Sequence, residues 1–146
     1  MNDDIRIFSG EFDYMSNFYF SKTVIGKFIY DTVEHYFQSR KAVTDREERE
    51  IRETSTPGKA KRMGRKIKIR ADWEKIKYDV MFIGVKFKFE QHPDIAKKLK
   101  VTGDRLIVEG NNWHDNIWGD CHCPKCEHII GKNLMGKILM EIRKEL

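Results

Sequence analysis

Apolar and polar positions change period along the chain, and the changes mark its elements. Ile5 and Ile7, then Phe18 and Phe20, alternate with polar neighbours, so residues 1–30 read as extended. Val24 and Ile25 precede Gly26, and an apolar run over 28–30 follows it, which places a hairpin turn at the glycine. At residue 31 the pattern becomes helical. Asp31 stands where a helix cap belongs, and Glu34 follows at capping-box spacing. Val33, Tyr36 and Phe37 form the apolar face of that helix, while Glu34, Gln38 and Lys41 share another stripe. Residues 45–53 (DREEREIRE) are helical in propensity and almost wholly charged, the mark of a solvated face. Thr56-Pro57 is a cap followed by proline at the first helical position, and that helix is expected to end near Gly64. Asp72 is expected to cap a longer helix reaching about Phe87, with Trp73, Ile76, Val80 and Ile83 in register. Pro93 opens a short helix, and residues 105–109 read as a short strand. The last helix starts near Gly131 and buries Met135, Ile138, Leu139, Ile142 and Leu146. The sum is an α+β fold, predominantly helical, with a small β-sheet.

At 146 residues and 17.4 kDa, with no repeat and no Pro/Gly-rich linker, one domain over 1–146 is the simplest organisation. A composition 40% hydrophobic and 12% aromatic excludes a disordered chain. The net charge of +5 admits phosphorylated or polyanionic partners and is silent on fold. Apolar runs such as 81–85 are far too short for a bilayer, so no membrane partner is expected. The acidic opening MNDDIRIFSG lacks a signal-peptide pattern, and a cytoplasmic protein is expected. Three clustered cysteines do not make a disulfide framework.

Three acids, Glu34, Glu109 and Asp115, lie among aromatics rather than in charge runs, and each has two readings. Glu34 is either a capping-box glutamate or a reactive acid. Glu109 either ends a strand facing solvent or reacts. Asp115, in Asn-Asn-Trp-His-Asp-Asn over 111–116, is either an Asx-turn residue or reactive. Trp73 at helical spacing suits a core, whereas Trp118, after an Asp/Asn-rich loop, suits stacking on a planar ring. Nine basic residues and two acids between 59 and 77 form either a solvated helix face or a positive rim for phosphate. Neither a Walker loop nor a dinucleotide fingerprint is present. The most distinctive local signal is Cys121-His122-Cys123-Pro124-Lys125-Cys126-Glu127-His128. Cys123 and Cys126 have zinc-knuckle spacing. With Cys121 they give three ligands, and His128 or His122 offers the fourth that tetrahedral zinc needs. Such a closed set points to structure rather than chemistry; the other reading is three reduced thiols in a loop.

Several blocks taken in order carry a resemblance: residues 14–19 (YMSNFY), 33–41 (VEHYFQSRK), Gly64-Arg65 with 72–74 (DWE), and 88–93 (KFEQHP). Residues 102–104 (TGD), 106–109 (LIVE), 115–119 (DNIWG) and 131–143 (GKNLMGKILMEIR) continue it. Together they resemble the NADAR (YbiA-like) family of N-glycosidases from about Phe8 to Arg143. The resemblance implies an α+β, largely helical domain that hydrolyses the N-glycosidic bond between a phosphorylated ribose and a nitrogen base. It implies ADP-ribose on guanine bases, or early phosphoribosylamino-pyrimidines of riboflavin synthesis, as substrates. It places catalytic roles on Glu34 and Asp115 and substrate contacts on Trp73 and Trp118, and it adds Asn17, Phe18 and Lys41 to the pocket. The cysteine–histidine loop departs from the usual family pattern, so no cofactor is expected for catalysis, and a structural zinc is expected at most. The competing class is a non-catalytic module that binds ADP-ribose or nucleic acid.

Overall fold

The computed structural model describes residues 3–146. Among them are six α-helices, two short 3-10 helices and two two-stranded sheets, the expected mostly helical α+β architecture. The chain forms two compact units: Asn17–His92, and the chain up to Ser16 together with Pro93–Leu146.

The first unit begins with a hairpin. β1 (Thr23–Ile25) pairs antiparallel with β2 (Phe28–Tyr30), Ile25 opposite Phe28. Gly26 takes φ +64 at the first position of the two-residue turn, a conformation that glycine adopts without steric cost. Four helices follow: α1 (Val33–Ser39), α2 (Asp45–Arg52), α3 (Pro57–Lys66) and α4 (Trp73–Gln91). Every residue of α1 is buried, because α2, α3 and α4 all pack on it. A helix so placed can carry a polar side chain deep into the unit.

The cap of α1 is Thr32, not Asp31. Its side chain accepts the His35 amide at 3.1 Å and also meets His35 Nδ1 at 2.8 Å. His35 is fully buried, and its Nε2 lies 3.0 Å from the Thr54 carbonyl. The ring therefore donates from Nε2, and the Thr32 hydroxyl donates to Nδ1. Thr32→Ala would remove the cap and strand a buried ring nitrogen, so we expect a loss of about 2 kcal/mol in urea unfolding. Thr56 caps α3 as expected, accepting from Lys59 N at 3.1 Å. Asp72 does not cap α4 with its side chain, because Arg70 Nε takes its carboxylate at 2.6 Å. α4 runs past Phe87 to Gln91, and its core seam holds Trp73, Val80, Met81, Val85 and Phe89. Ile83, on the expected face, lies outside that seam and is exposed.

In the second unit the expected extended stretch is mostly absent. Ile5 forms a single parallel bridge with Ile107, held by Ile5 N to Leu106 O at 2.8 Å and Val108 N to Ile5 O at 2.7 Å. Ile7 is exposed, and the chain then enters a 3-10 helix, Gly10–Met15. The strand expected over 105–109 is reduced to this bridge. β3 proper is Gly110–Asn111, parallel to β4 (Asp120–Cys121). Pro124–Cys126 is a 3-10 turn, α5 is Pro93–Val101 and α6 is Leu134–Glu145. Met135, Ile138, Leu139 and Ile142 are buried as expected, while Leu146 falls past the helix end and is half-buried. No helix among the described residues is long and apolar enough to cross a membrane.

Candidate functional site

Glu34 is the second residue of α1 and only 7% exposed. Its amide donates to the Asn17 carbonyl at 3.1 Å, which ties the Asn17-Phe18 segment to the start of the helix. Its carboxylate does not reach back to the helix cap. Gln38, one turn on, donates Nε2 to Glu34 Oε1 at 2.8 Å. The capping-box reading therefore falls, since the residue that bonds the Thr32 cap is His35. Burial raises the proton affinity of Glu34. The Gln38 donor and the charges of Lys61, Lys41 and Arg65 pull it down, and the net position stays above the ordinary carboxyl range.

Asn17, Phe18, Lys41 and Trp73, assigned by resemblance, lie in the same unit as this acid. Asn17 is buried and its Nδ2 meets Met81 Sδ at 3.4 Å. Lys41 follows the end of α1 with its Nζ 5.7 Å from the Phe37 ring centre and 5.8 Å from that of Trp73. Those two rings meet edge to face at 4.9 Å. Burial lowers the pKa of Lys41, and the Glu34 charge opposes that shift. Trp73 is a core residue, as its helical spacing suggests, and one ring of this aromatic corner. Phe18 is exposed, with Lys61 Nζ 6.0 Å from its ring centre. Of the basic run over 59–77, Lys61 and Arg65 act on Glu34, whereas Arg70 and Lys77 pair with Asp72 and Glu74. The run is thus divided between a site and ordinary surface pairs.

Gln38 and Gly64 are the residues that sequence reasoning left without a role. A Cβ on Gly64 would overlap Gln38 Oε1 and lie 2.9 Å from its amide carbon. The glycine lets α3 approach closely enough to pin the amide that binds Glu34. The Glu34–Gln38 spacing of one helical turn was the available signal. Gly64→Ala is expected to lower stability by about 1–3 kcal/mol through overpacking. Alanine's better helix propensity, worth about 1 kcal/mol, is too small to compensate. Urea unfolding measures the balance.

In the other unit, Asp115 Oδ1 accepts the amides of Ile117 at 3.1 Å and Trp118 at 2.9 Å, so this residue does make an Asx turn. Asn111 holds it from the other side, accepting Asp115 N at 3.1 Å and donating to its carbonyl at 2.8 Å. Trp118, anchored by that turn, is half-buried, as is Glu109.

At the cysteine loop the histidine that joins the three thiols is His114, not His128. His114, Cys121, Cys123 and Cys126 place their ligand atoms within 4.8 Å of one another, a group able to hold a metal. His128, expected as the fourth member, is not there. Past the Pro124–Cys126 turn the chain runs out to solvent, and the His128 ring is 92% exposed beside Glu127. His122 lies beside Gly110 instead. His114 Nδ1 is 3.2 Å from Cys123 Sγ and 3.4 Å from Cys126 Sγ. Burial pushes both buried thiols up, to about 11 for Cys126. At Cys121 hydrogen bonds from Cys123 and His114 outweigh burial and leave it below the ordinary thiol value.

The NADAR domain matches residues 7–146. The chain belongs to the NADAR family. It is 36% identical to N-glycosidase YbiA of Escherichia coli K12, an alignment that spans 97% of this chain and 88% of that one. N-glycosidase Npun_R5314 of Nostoc punctiforme is 38% identical over 79% of this chain and 73% of the relative. The chloroplastic riboflavin biosynthesis protein PYRR of Zea mays is 34% identical over 82% of this chain, within 20% of its own length. The NMR structure of E. coli YbiA superposes with a TM-score of 0.84 at 35% identity, covering 99% of this chain and 86% of that one. This NADAR chain therefore shares its fold as well as its sequence pattern with a structurally characterised member.

Proposed function

We propose that this NADAR chain hydrolyses the N-glycosidic bond of a phosphorylated N-riboside. The coarse activity follows from the family: the relatives in E. coli and Nostoc are named N-glycosidases, and the chain is a hydrolase of N-glycosyl compounds. Two substrate classes fit, ADP-ribose on guanine bases and the phosphoribosylamino-pyrimidines of early riboflavin synthesis. The name of the maize relative favours the second.

The observation that carries the reading is a carboxyl taken out of water among the charges of Lys61, Lys41 and Arg65. Cleavage of an N-riboside passes through an oxocarbenium-like state, in which positive charge grows on the ribose while water attacks. A buried acid with raised proton affinity suits the proton of that water. Glu34 is assigned this part and returns the proton, through solvent, to the base nitrogen that departs with the bonding electron pair, while Asp115, whose carboxylate is held by backbone amides, is assigned the stabilisation of ribose charge. Lys41, Lys61 and Arg65 are assigned the phosphate. Trp73, Trp118, Phe18 and Asn17 are assigned contacts to base and sugar. A module that only binds ADP-ribose or nucleic acid could use a buried acid as an acceptor, so release of the base is what separates the two readings. The cysteine–histidine loop is read as a structural zinc site without a part in bond cleavage.

Incubation with ADP-ribosylated guanine DNA, NAD and riboflavin-pathway phosphoribosides, with released base and sugar detected by mass spectrometry, tests the reading. Cleavage of one class above the uncatalysed rate is expected. Tight binding of all three with no release would make the chain a reader instead.

A further inference from the structure

We propose that His114, Cys121, Cys123 and Cys126 hold one tetrahedral zinc ion, and that this ion fixes the turn that presents Asp115. The proposal rests on the structural-zinc reading and on the assignment of Asp115. It adds the fourth ligand and a link between metal and site.

The donor set comes first. Three soft thiolates and one imidazole select zinc over hard cations such as magnesium or calcium. Zinc–sulfur bonds of about 2.3 Å in a tetrahedron put neighbouring sulfurs about 3.8 Å apart. The four ligand atoms all fall within 4.8 Å of one another, so each needs only a small movement to meet a central ion. The sulfurs already receive the N–H donors that thiolate ligands commonly attract. His114 N and Cys123 N reach Cys121 Sγ at 3.3 and 3.4 Å, and Asn116 Nδ2 reaches Cys126 Sγ at 3.5 Å. Each thiol that binds gives its proton to solvent, and His114 binds as the neutral imidazole through Nδ1.

The link to Asp115 is covalent and short. His114 precedes Asp115 directly and sits at φ 70, a left-handed conformation uncommon for a residue with a side chain. That conformation accompanies the placement of Nδ1 among the sulfurs while the next residue makes the Asx turn. Asn116, which follows, accepts the Cys121 amide at 2.9 Å and donates to Cys126 Sγ. Asp115 is therefore bracketed by one ligand and by a side chain bonded to two others. Asn111, which holds Asp115 from behind, is the strand neighbour of Cys121. Removal of the ion frees His114 and leaves the thiols to their own protons, and the brackets on Asp115 loosen together.

Protein purified without added metal is expected to carry about one zinc per chain by elemental analysis. His114→Ala should lose it, and His128→Ala should keep it. Because loss of zinc could also unfold the loop, His114→Cys provides a second reading. With cobalt in place of zinc, its absorption should shift from that of a three-sulfur, one-nitrogen site to that of a four-sulfur site. The coupling is read by hydrogen exchange at the amides of Ile117 and Trp118, which donate to Asp115. Chelation should speed both by about tenfold or more while leaving the α1 amides unchanged. Zinc below about a tenth of an equivalent, three freely titratable thiols, or loss of metal in His128→Ala would overturn the site. Exchange at 117 and 118 unaffected by chelation would overturn the coupling. None of these measurements depends on turnover, so failure of the assigned hydrolysis would show separately in the substrate assay.

Discussion

Glu34→Gln is expected to lower N-riboside turnover by about 10²- to 10⁴-fold, the range for removal of a positioned acid or base. Glutamine keeps the size of the side chain, and its carbonyl oxygen can still accept from Gln38, so the helix should remain intact. Stability should move the other way. The proton affinity of Glu34 is higher in the folded than in the unfolded chain, so the folded state binds more protons between the two pKa values. Stability contributed by this group is full below the unfolded value and falls as pH rises through the folded one. At neutral pH the wild type bears that cost and the glutamine variant does not. Melting temperatures should thus favour the variant at pH 7, and the advantage should shrink in mild acid. Retained turnover, or a variant that melts earlier at pH 7 than at pH 4 relative to wild type, would reject the buried-acid account.

Asp115→Asn should separate the two jobs of its carboxylate. An asparagine oxygen can still accept the Ile117 and Trp118 amides, so the turn should survive. The negative charge is lost, and turnover should fall by about 10²- to 10³-fold if that charge meets the ribose. Asp115→Ala removes the acceptor as well and should cost about 1–3 kcal/mol more in stability. Full activity in the asparagine variant would leave Asp115 as a turn residue only. Steady-state rates and urea unfolding of the pair decide between these.

What could be read in advance follows from the range of each interaction. Thr56-Pro57 and the Gly26 turn are local, and each stands where its residues place it. The cap at α1 is Thr32, whose hydroxyl accepts the His35 amide, a local bond; the second bond, between that hydroxyl and the buried His35 ring, arises only when α1 is packed. The apolar seam of α4 passes through Met81 and Val85 rather than Ile83 for the same reason. Three cysteines were visible as a cluster, but His114 joins them through a left-handed residue and the β3–β4 pairing. Sequence proximity favoured His128, and the chain carries that residue into solvent. Glu34 was legible as an acid with two readings. Only its burial and the Gln38 amide distinguish them, and Gln38 owes its place to a glycine on another helix.

The pairing of Ile5 with Ile107 has a bearing on how the chain is made. Asn17–His92 emerges from the ribosome as one continuous piece, with every hydrogen bond of its hairpin and of the α1 cap supplied from within. It can close on local contacts while synthesis continues. Ile5 must wait, because Leu106 and Val108, whose backbones bond to both sides of it, come about a hundred residues later in the chain. Closing so long a loop adds only a few RT in entropy, but it delays the event until nearly the whole chain is present. The bridge at Ile5 is thus paired only after the continuous unit Asn17–His92 has been made.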